Sequence, residues 1–419
     1  MRKSILFLLL FLSVAFVSAQ DQLSKWEKGY LDIHHLNTGR GSCAFIIMPD
    51  GTNMMIDAGD FDNESFDVTM SAPQVFPNSS YTAGSSIINY LTNVLGRDNL
   101  SIDYFLLTHF HSDHYGSIRD ASGTSEHGYR LTGLTEVGDV IPIKTYVDRD
   151  YPNYNFPVDL RTNVSGNGGV EPATFQNLLK FLEFQKTNNG MKLEKFEIGS
   201  NKQFTLKKDP KSYPGFEIRN IKSNNLLWTG KGKNTTPLFT KEELLAKNGK
   251  FNDNQMSTAL VIKYGKFKYY AGGDNSGLVD QDHAEWYDIE TPMAPLVGKV
   301  SAMSLNHHSN RDATNRNFLD VLDPKVVVAQ SWSPDHPGPE VGQRLLSGNV
   351  GTRKREIFMT YYHEETGIGI GPWFSRGIKA KEGHIVIRVY LDGKYDVYVL
   401  DSRKSNMTIV KKFGPYVSE

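Results

Sequence analysis

The apolar positions of this 419-residue chain fall mostly into short runs closed by glycine, proline, asparagine or aspartate. Tyr30 to Leu36 and Cys43 to Met48 are two such runs, and a third, Asn53 to Ile56, follows the turn Pro49-Asp50-Gly51. Their lengths and punctuation predict three strands joined by tight turns. Ser85 to Leu95 places Ile87, Leu91, Val94 and Leu95 on one helical face with Gly96 as a stop, and Ile102 to Leu107, apolar apart from Asp103, predicts a buried strand. Between about 119 and 252 the pattern loosens into one helix (Phe175 to Gln185, closed near Gly190) and strand-like pieces at Phe196 to Ile198, Gln203 to Leu206 and Glu217 to Ile221. A long loop, Arg149 to Val170, carries Tyr151, Tyr154 and Phe156, which either line a substrate mouth or pack locally. Order returns with strands at Leu260 to Tyr264, Lys268 to Ala271 and Val300 to Leu305, a helix over Asn315 to Leu322 and a strand at Val326 to Gln330. A proline-opened helix then runs from Gly338 to Leu346. Ile385 to Tyr390 and Tyr395 to Leu400 form a hairpin around Asp392-Gly393.

The N-terminus breaks this pattern. Met1-Arg2-Lys3, the apolar run Ile5 to Val17 and the small residues Ser18-Ala19 read as a cleavable secretory signal over 1–19. The expected product is a secreted or periplasmic protein formed by a single domain over 20–419, with a looser insertion at about 119–252. No later run approaches the roughly 18 apolar residues of a membrane span, so no stable membrane insertion is expected. A formal net charge of −1 gives no whole-chain field towards nucleic acid, which is not favoured as a partner. One cysteine, Cys43, excludes an internal disulfide framework and a multi-thiolate metal site.

Chemistry concentrates where the strands end. Thr108-His109-Phe110-His111-Ser112-Asp113-His114 packs three imidazoles and a carboxylate directly behind a buried strand. These are the nitrogen and oxygen ligands that suit zinc, and less often manganese or iron. His109 and His111 share one side of an extended segment and Asp113 continues the alternation, so a short loop is able to serve two metals. Asp57, Asp274 after Gly272-Gly273, and His307-His308 also close apolar strands. Asp274 taken alone is an ordinary turn aspartate, and His307-His308 alone an ordinary surface pair. Together with the cluster they read as one site built from several strand ends.

These residues in this order resemble the metallo-β-lactamase superfamily. The resemblance implies a four-layer αββα sandwich of the α/β class with metals at one edge. His35-Leu36-Asn37-Thr38-Gly39-Arg40-Gly41-Ser42, Asn252-Asp253-Asn254, Gly272-Gly273-Asp274, His307-His308-Ser309 and His336-Pro337-Gly338-Pro339-Glu340 look like the hydrolase domain of competence DNA-uptake channel proteins and the related phosphorylcholine esterases. Carried over, the resemblance implies two divalent metal ions, most simply zinc. One would lie on His109 and His111 and one on Asp113 and His114, with Asp274 bridging and His308 completing the shell. His307 would contact substrate or protonate a leaving group, and the roles of His307 and His308 are interchangeable at this level. The lactamase-type pattern has a further histidine before Asp274. Here only His127 is available, so the metal on His109 and His111 is the less completely held.

Arg40, between two glycines, and His336 are candidate substrate-binding residues for an anion, although a plain hairpin turn and a satisfied loop histidine explain them as well. The resulting expectation is a hydrolase of phosphoester or phosphodiester bonds that uses a metal-activated hydroxide oriented by Asp113. The competing readings are an amide or lactone hydrolase of the same fold, a catalytically inactive binding protein, and an iron-based redox protein. Lone Cys43 has no nearby base in sequence and no Gly-x-Ser-x-Gly elbow is present, so no rival nucleophile competes.

Overall fold

The computed structural model describes residues 21–61, 73–162, 168–246, 252–278 and 284–419; the expected leader, 1–19, lies outside them. The chain enters a first sheet through β1 (Leu31–His35), β2 (Ala44–Ile47), β3 (Asn53–Ile56), β4 (Tyr104–Leu106), β5 (Thr145–Asp148) and β6 (Lys192–Lys195). It then builds a second sheet from β7 (Phe216–Ser223), β8 (Leu226–Trp228), β9 (Thr235–Pro237), β10 (Ala259–Tyr264), β11 (Phe267–Gly272), β12 (Ala302–Ser304), β13 (Val326–Ala329), β14 (Glu356–Met359) and β15 (Ile378–Ala380). Finally it returns to the first sheet as β16 (His384–Val389), β17 (Lys394–Leu400) and β18 (Ile409–Val417). The orders are β18-β17-β16-β1-β2-β3-β4-β5-β6 and β15-β14-β13-β12-β11-β10-β7-β8-β9. β3 to β6 are parallel to one another, as are β11 to β15.

Alternation along each strand feeds two different cores. Ala44 and Ile46 of β2 face the layer between the sheets, where they join Leu31, Ile33, Leu106, Leu260, Ile262 and Val328. Phe45 and Ile47 face outward beneath α1 (Ala83–Leu95), α2 (Ser112–Tyr115), α3 (Gly133–Val140) and α4 (Pro172–Asn189), with Ile87, Leu134 and Phe181. Leu244 of α5 (Lys241–Leu245) joins the same cluster. On the far side, Tyr270, Met303 and Val327 of the second sheet pack under α6 (Glu290–Val297), α7 (Arg316–Leu322) and α8 (Pro339–Leu346), the contacts coming chiefly from Met293, Phe318 and Val341. α9 (Glu364–Ile370) and α10 (Pro372–Ser375) complete the helices. The layers run helix, sheet, sheet, helix, the α/β sandwich that the resemblance implies. Strands buried on both faces lose the polar alternation of a half-exposed strand, which is why they read as continuous apolar runs.

The differences from the sequence reading have physical causes. β6 is Lys-Leu-Glu-Lys at a sheet edge, too polar and too exposed to carry a periodic signal. The expected strands at Phe196 to Ile198 and Gln203 to Leu206 are instead turns and bends. Their Phe196, Phe204 and Leu206 are apolar because they fill the layer between the sheets. Tyr154 is buried against Phe110 and Phe175, so it packs locally. Among the described residues no helix is long and apolar enough to cross a membrane.

A buried hydrogen bond at His35 joins the two sheets through the core. His35 on β1 accepts at Nε2 from the Tyr269 hydroxyl of β11 at 2.7 Å, and its Nδ1–H faces the Ile385 carbonyl at 3.2 Å. Burial pushes the His35 pKa down from 6.5 to about 4. The folded chain therefore refuses a proton that the unfolded chain accepts. Stability that is fully present above pH 6.5 is lost as pH falls through that window towards 4, by on the order of 3 kcal/mol. Urea melts above pH 6.5 and near pH 4 should show this loss in the wild type and a smaller one in His35→Gln. Equal losses in both proteins would exclude His35 as the source.

Candidate metal centre

Four strand ends supply the site. β3 delivers Asp57; β4 runs into Thr108 and the histidine cluster, whose last residues turn into α2; β11 ends at Gly272-Gly273-Asp274; and β12 runs into Asn306 to Ser309. The sheets are tied together at this edge, since Thr258 N–H donates to the Thr108 carbonyl and Gly273 N–H to the Thr258 carbonyl, each at 3.1 Å.

The Asp274 carboxylate is the centre of the arrangement. Its Oδ2 lies 3.2 Å from His114 Nε2, 3.4 Å from His308 Nε2, and 3.9 Å from both His109 Nε2 and His307 Nε2. Asp113 Oδ2 is 2.9 Å from His308 Nε2 and 3.7 Å from His114 Nε2. Asp113, His114, Asp274 and His308 each place a ligand atom within 4.8 Å of the others. Nε2 of His109, His114 and His308 is buried and makes no hydrogen bond among the described residues. These nitrogens stand at ion-pair distance from the carboxylates without the alignment of an N–H···O bond. Buried polar atoms left without partners are costly, and a set of imidazole nitrogens with carboxylate oxygens is a zinc-type donor set. The residues therefore fit a divalent cation.

Each ring is held so that Nε2 faces inward. His114 Nδ1 bonds to Asp57 Oδ2 at 2.8 Å, and Asp57 is itself fixed by the Thr108 amide and hydroxyl, both at 2.8 Å. A carboxylate behind the ring in this way sets the tautomer and raises basicity. His308 Nδ1 donates to the Gln330 carbonyl at 2.9 Å. His307, His308 and Ser309 all adopt positive φ of 47°, 52° and 69°, a conformation that costs non-glycine residues energy and persists only where neighbours enforce it. Enforcement comes from Asn306 beside them, which donates to buried Glu290 at 2.7 Å and accepts from the Tyr270 hydroxyl at 2.9 Å.

Asp113 is held through its backbone. Ser42 N–H donates to the Asp113 carbonyl at 2.8 Å. A Cβ at Gly41 (φ 136°) would stand 2.1 Å from that oxygen and one at Gly59 1.9 Å, so only glycine permits the approach. Gly-Arg-Gly-Ser is thus a cradle for the metal-ligand loop.

Charge and burial oppose each other throughout. Burial alone would depress His114, but Asp274, Asp113 and Asp57 together raise its pKa well above the usual histidine value. Against burial, the Asp274 and Asp113 carboxylates push His308 up to about 10. Burial would raise Asp274, and the charges of His114, His308 and His307 hold it well below the usual carboxylate range. Positive charge is thus favoured beside these carboxylates, where a divalent cation would bring its own. His109 stays neutral, lowered by burial and by the neighbouring His114 charge.

The remaining candidates divide. His111 turns away from the cluster to Gly168, with Nε2 2.7 Å from its carbonyl oxygen. His307 is half-buried between Asp312, 2.5 Å from Nδ1, and Asn254 Nδ2, 3.1 Å from Nε2. His336 stacks on His308 with ring centroids 4.9 Å apart, and burial lowers its pKa to about 3. Arg40 sits by Asp60, whose carboxylate is ion-paired to Arg119. His127 stacks on Phe184 with centroids 3.9 Å apart, well removed from the cluster in packing. A cavity of about 270 Å³ opens over the site, with His111, Asp113, His307, His308 and His336 in its wall. Glu171, Asp335 and the Phe61–Trp332 pair, with centroids 4.4 Å apart, complete its character. No lysine or arginine is among the described residues lining it, and Arg40 is outside it.

Sequence reasoning passed over several of these residues. Asp312, Gln330 and Glu290 lie in unremarkable loop, strand-end and helix contexts, and no local signal marks them. Asn254 was visible only as part of a family mark, and Asp57 only as one more strand-end carboxylate.

Residues 36–126 match the family model described as "Metallo-beta-lactamase superfamily". This stretch runs from the end of β1 through the whole histidine cluster, and over it the chain is similar to that superfamily. No curated protein matches the sequence significantly. Among solved structures the chain is similar to a mutant of the CmlA beta-hydroxylase, at 11% identity and TM-score 0.37 over 86% of this chain. That match takes in 54% of the other, so the chain spans about half the length of that protein. It is also similar to a putative metal-dependent hydrolase from Parabacteroides distasonis ATCC 8503, at 11% identity and TM-score 0.36 over 81% of this chain and 97% of that one. The unliganded yeast PDE1 structure matches at 10% identity and TM-score 0.37 over 85% of this chain and 99% of that one.

If Asp57 sets the tautomer of a metal-binding His114, Asp57→Asn should weaken zinc affinity by roughly 10- to 100-fold, as measured by chelator competition. Unchanged affinity in a folded variant would remove Asp57 from the metal's support.

Proposed function

We propose that this chain is an exported metal-dependent hydrolase of phosphodiester bonds in the metallo-β-lactamase superfamily. The observation that carries the hydrolase reading is the group of three buried, partnerless Nε2 atoms facing the Asp113 and Asp274 carboxylates. Asp113, His114, Asp274 and His308 hold one divalent cation. His109, against the same Asp274 oxygen, and His111, released from Gly168, provide a second and weaker place. Zinc suits this donor set, with manganese or iron as substitutes. When bound, such ions supply Lewis acidity and lower the pKa of water towards neutrality.

The chain's own residues do the rest. Asp113 orients the attacking water through its carboxylate. His307 holds the leaving-group proton: Asp312 fixes Nδ1, and Nε2 faces the Asn254 amide. Asn254 Oδ1 is buried without a partner, so reversing this amide would let it accept a proton carried on Nε2, and one side chain serves both protonation states. His336 lines the cavity as a substrate contact.

The cavity wall favours diesters over monoesters. Glu171, Asp335 and the absence of lysine and arginine from the described lining disfavour a dianionic phosphomonoester more than a singly charged diester. The marks shared with competence channel hydrolase domains and phosphorylcholine esterases support the same class. The wall equally suits a neutral amide or lactone, which is the second reading.

Metal-loaded protein should hydrolyse bis-(p-nitrophenyl) phosphate faster than p-nitrophenyl phosphate, and chelation should abolish turnover. Turnover of nitrocefin or a lactone alone would establish the second reading, and no turnover with metal bound would leave a binding protein. His307→Ala should lower kcat for a diester with an alkoxide leaving group by roughly 10²- to 10⁴-fold, and much less for p-nitrophenolate, which needs no proton. Equal losses on both substrates would refute a proton-donating role.

A further inference from the structure

A second cavity lies away from the metal centre. It encloses about 540 Å³ between the end of α8, the 347–355 loop and the α10–β15 connection. Parallel pairing of Val326 with Glu356 places it at the entry end of β13 and β14, whereas Gln330 and His336 follow the exit end of β13. The two cavities share no lining residue.

Its wall has two characters. Leu345, Leu346 and Val350 make an apolar side. Arg353, Lys354, Arg355, Arg376 and Lys379 make a basic one, with Glu356 as the single carboxylate. That carboxylate is already engaged, by Lys325 at 3.3 Å and by the Tyr416 hydroxyl at 2.5 Å. Arg353 is taken up by Glu419 at 3.0 Å and Asp323 at 3.8 Å. Lys354, Arg376 and Lys379 are exposed and make no ion pair among the described residues.

Arg355 gives the strongest indication. It is only 5% exposed and lines the cavity. Nη2 donates to the Val350 carbonyl at 2.6 Å, but Nε is buried with no hydrogen-bond partner among the described residues. Asp323 and Asp320 supply counter-charge from behind, but a buried N–H donor left without an acceptor is still costly, and an anion in the cavity relieves that cost. A neighbouring cavity of about 370 Å³ shares Arg353 and adds Lys263, Lys266, Lys268 and Lys299 to the same face. In a chain of net charge −1 this is a local concentration of positive charge. The C-terminal carbonyls of α8 oppose it with a partial negative charge of about half a unit, less than the unpaired cations supply.

We propose that this cavity binds a small organic anion, with a phosphate or carboxylate group between Arg355, Arg376 and Lys379 and an apolar body against Leu345, Leu346 and Val350. Guanidinium groups recognise both anions through paired N–H donors, and the volume lies within the usual range for small-molecule sites.

Calorimetric titration of the metal-loaded protein with phenyl phosphate, benzoate and inorganic phosphate tests this. The expected result is saturable binding of phenyl phosphate, tighter than that of inorganic phosphate. The exposed double variant Arg376→Ala/Lys379→Ala should weaken it by roughly 10-fold or more without lowering the melting temperature, and His308→Ala should retain it. Benzoate binding as tightly identifies a carboxylate ligand; binding of phenyl phosphate alone identifies a phosphate. Absence of saturable binding by all three probes, or equal affinity in the double variant, would overturn the proposal.

Discussion

The Asp274 carboxylate, buried against four imidazoles, sets the terms for the structure around it. A charge in that position is tolerable only if opposite charge arrives at the same point, and that charge comes from histidines on two different sheets. The sandwich has to bring the ends of β4, β11 and β12 together, and the Thr108–Thr258–Gly273 backbone bonds fix them there. The carboxylates favour positive charge on His114 and His308, and a divalent cation would bring positive charge to the same point.

Rigidity at this point has a cost that the fold offsets elsewhere. Three consecutive residues at His307 to Ser309 hold left-handed backbone, and Gly41 and Gly59 press their backbones against Asp113 with no room for a side chain. Strain of a few kcal/mol is typical for such a turn. Three apolar layers supply the compensation, each buried side chain of the Leu or Ile kind contributing roughly 1.5–3 kcal/mol. The site is thus placed on stiff strand ends, where small displacements of ligand atoms are resisted by packed cores on both sides.

The two ends of the parallel strands carry opposite chemistry. At the exit ends of β4, β12 and β13 the cavity wall is acidic, aromatic and rich in histidine; at the entry ends of β13 and β14 it is basic and partly apolar. Neighbouring strands share a direction, so each end gathers loops from several segments, and one sheet keeps two unlike sites apart. A nearly neutral net charge conceals this polarity.

The histidine cluster, the strand-end carboxylates and the apolar runs on either side of them were legible in the sequence by themselves, because ligand chemistry is local and doubly buried strands are apolar throughout. That information sufficed for a metal-type donor set, and the α/β sandwich followed from the family resemblance those residues carry. Tertiary structure alone decided which donors meet. His111 is equivalent to His109 in spacing yet turns to Gly168, and Asp57 proves to hold His114 although 57 positions separate them. Polar edge strands such as β6, and the partners Asp312, Gln330 and Glu290, had no sequence signal. Their roles come from the placement of distant segments, and a hydrogen bond across the fold leaves no periodicity in the chain.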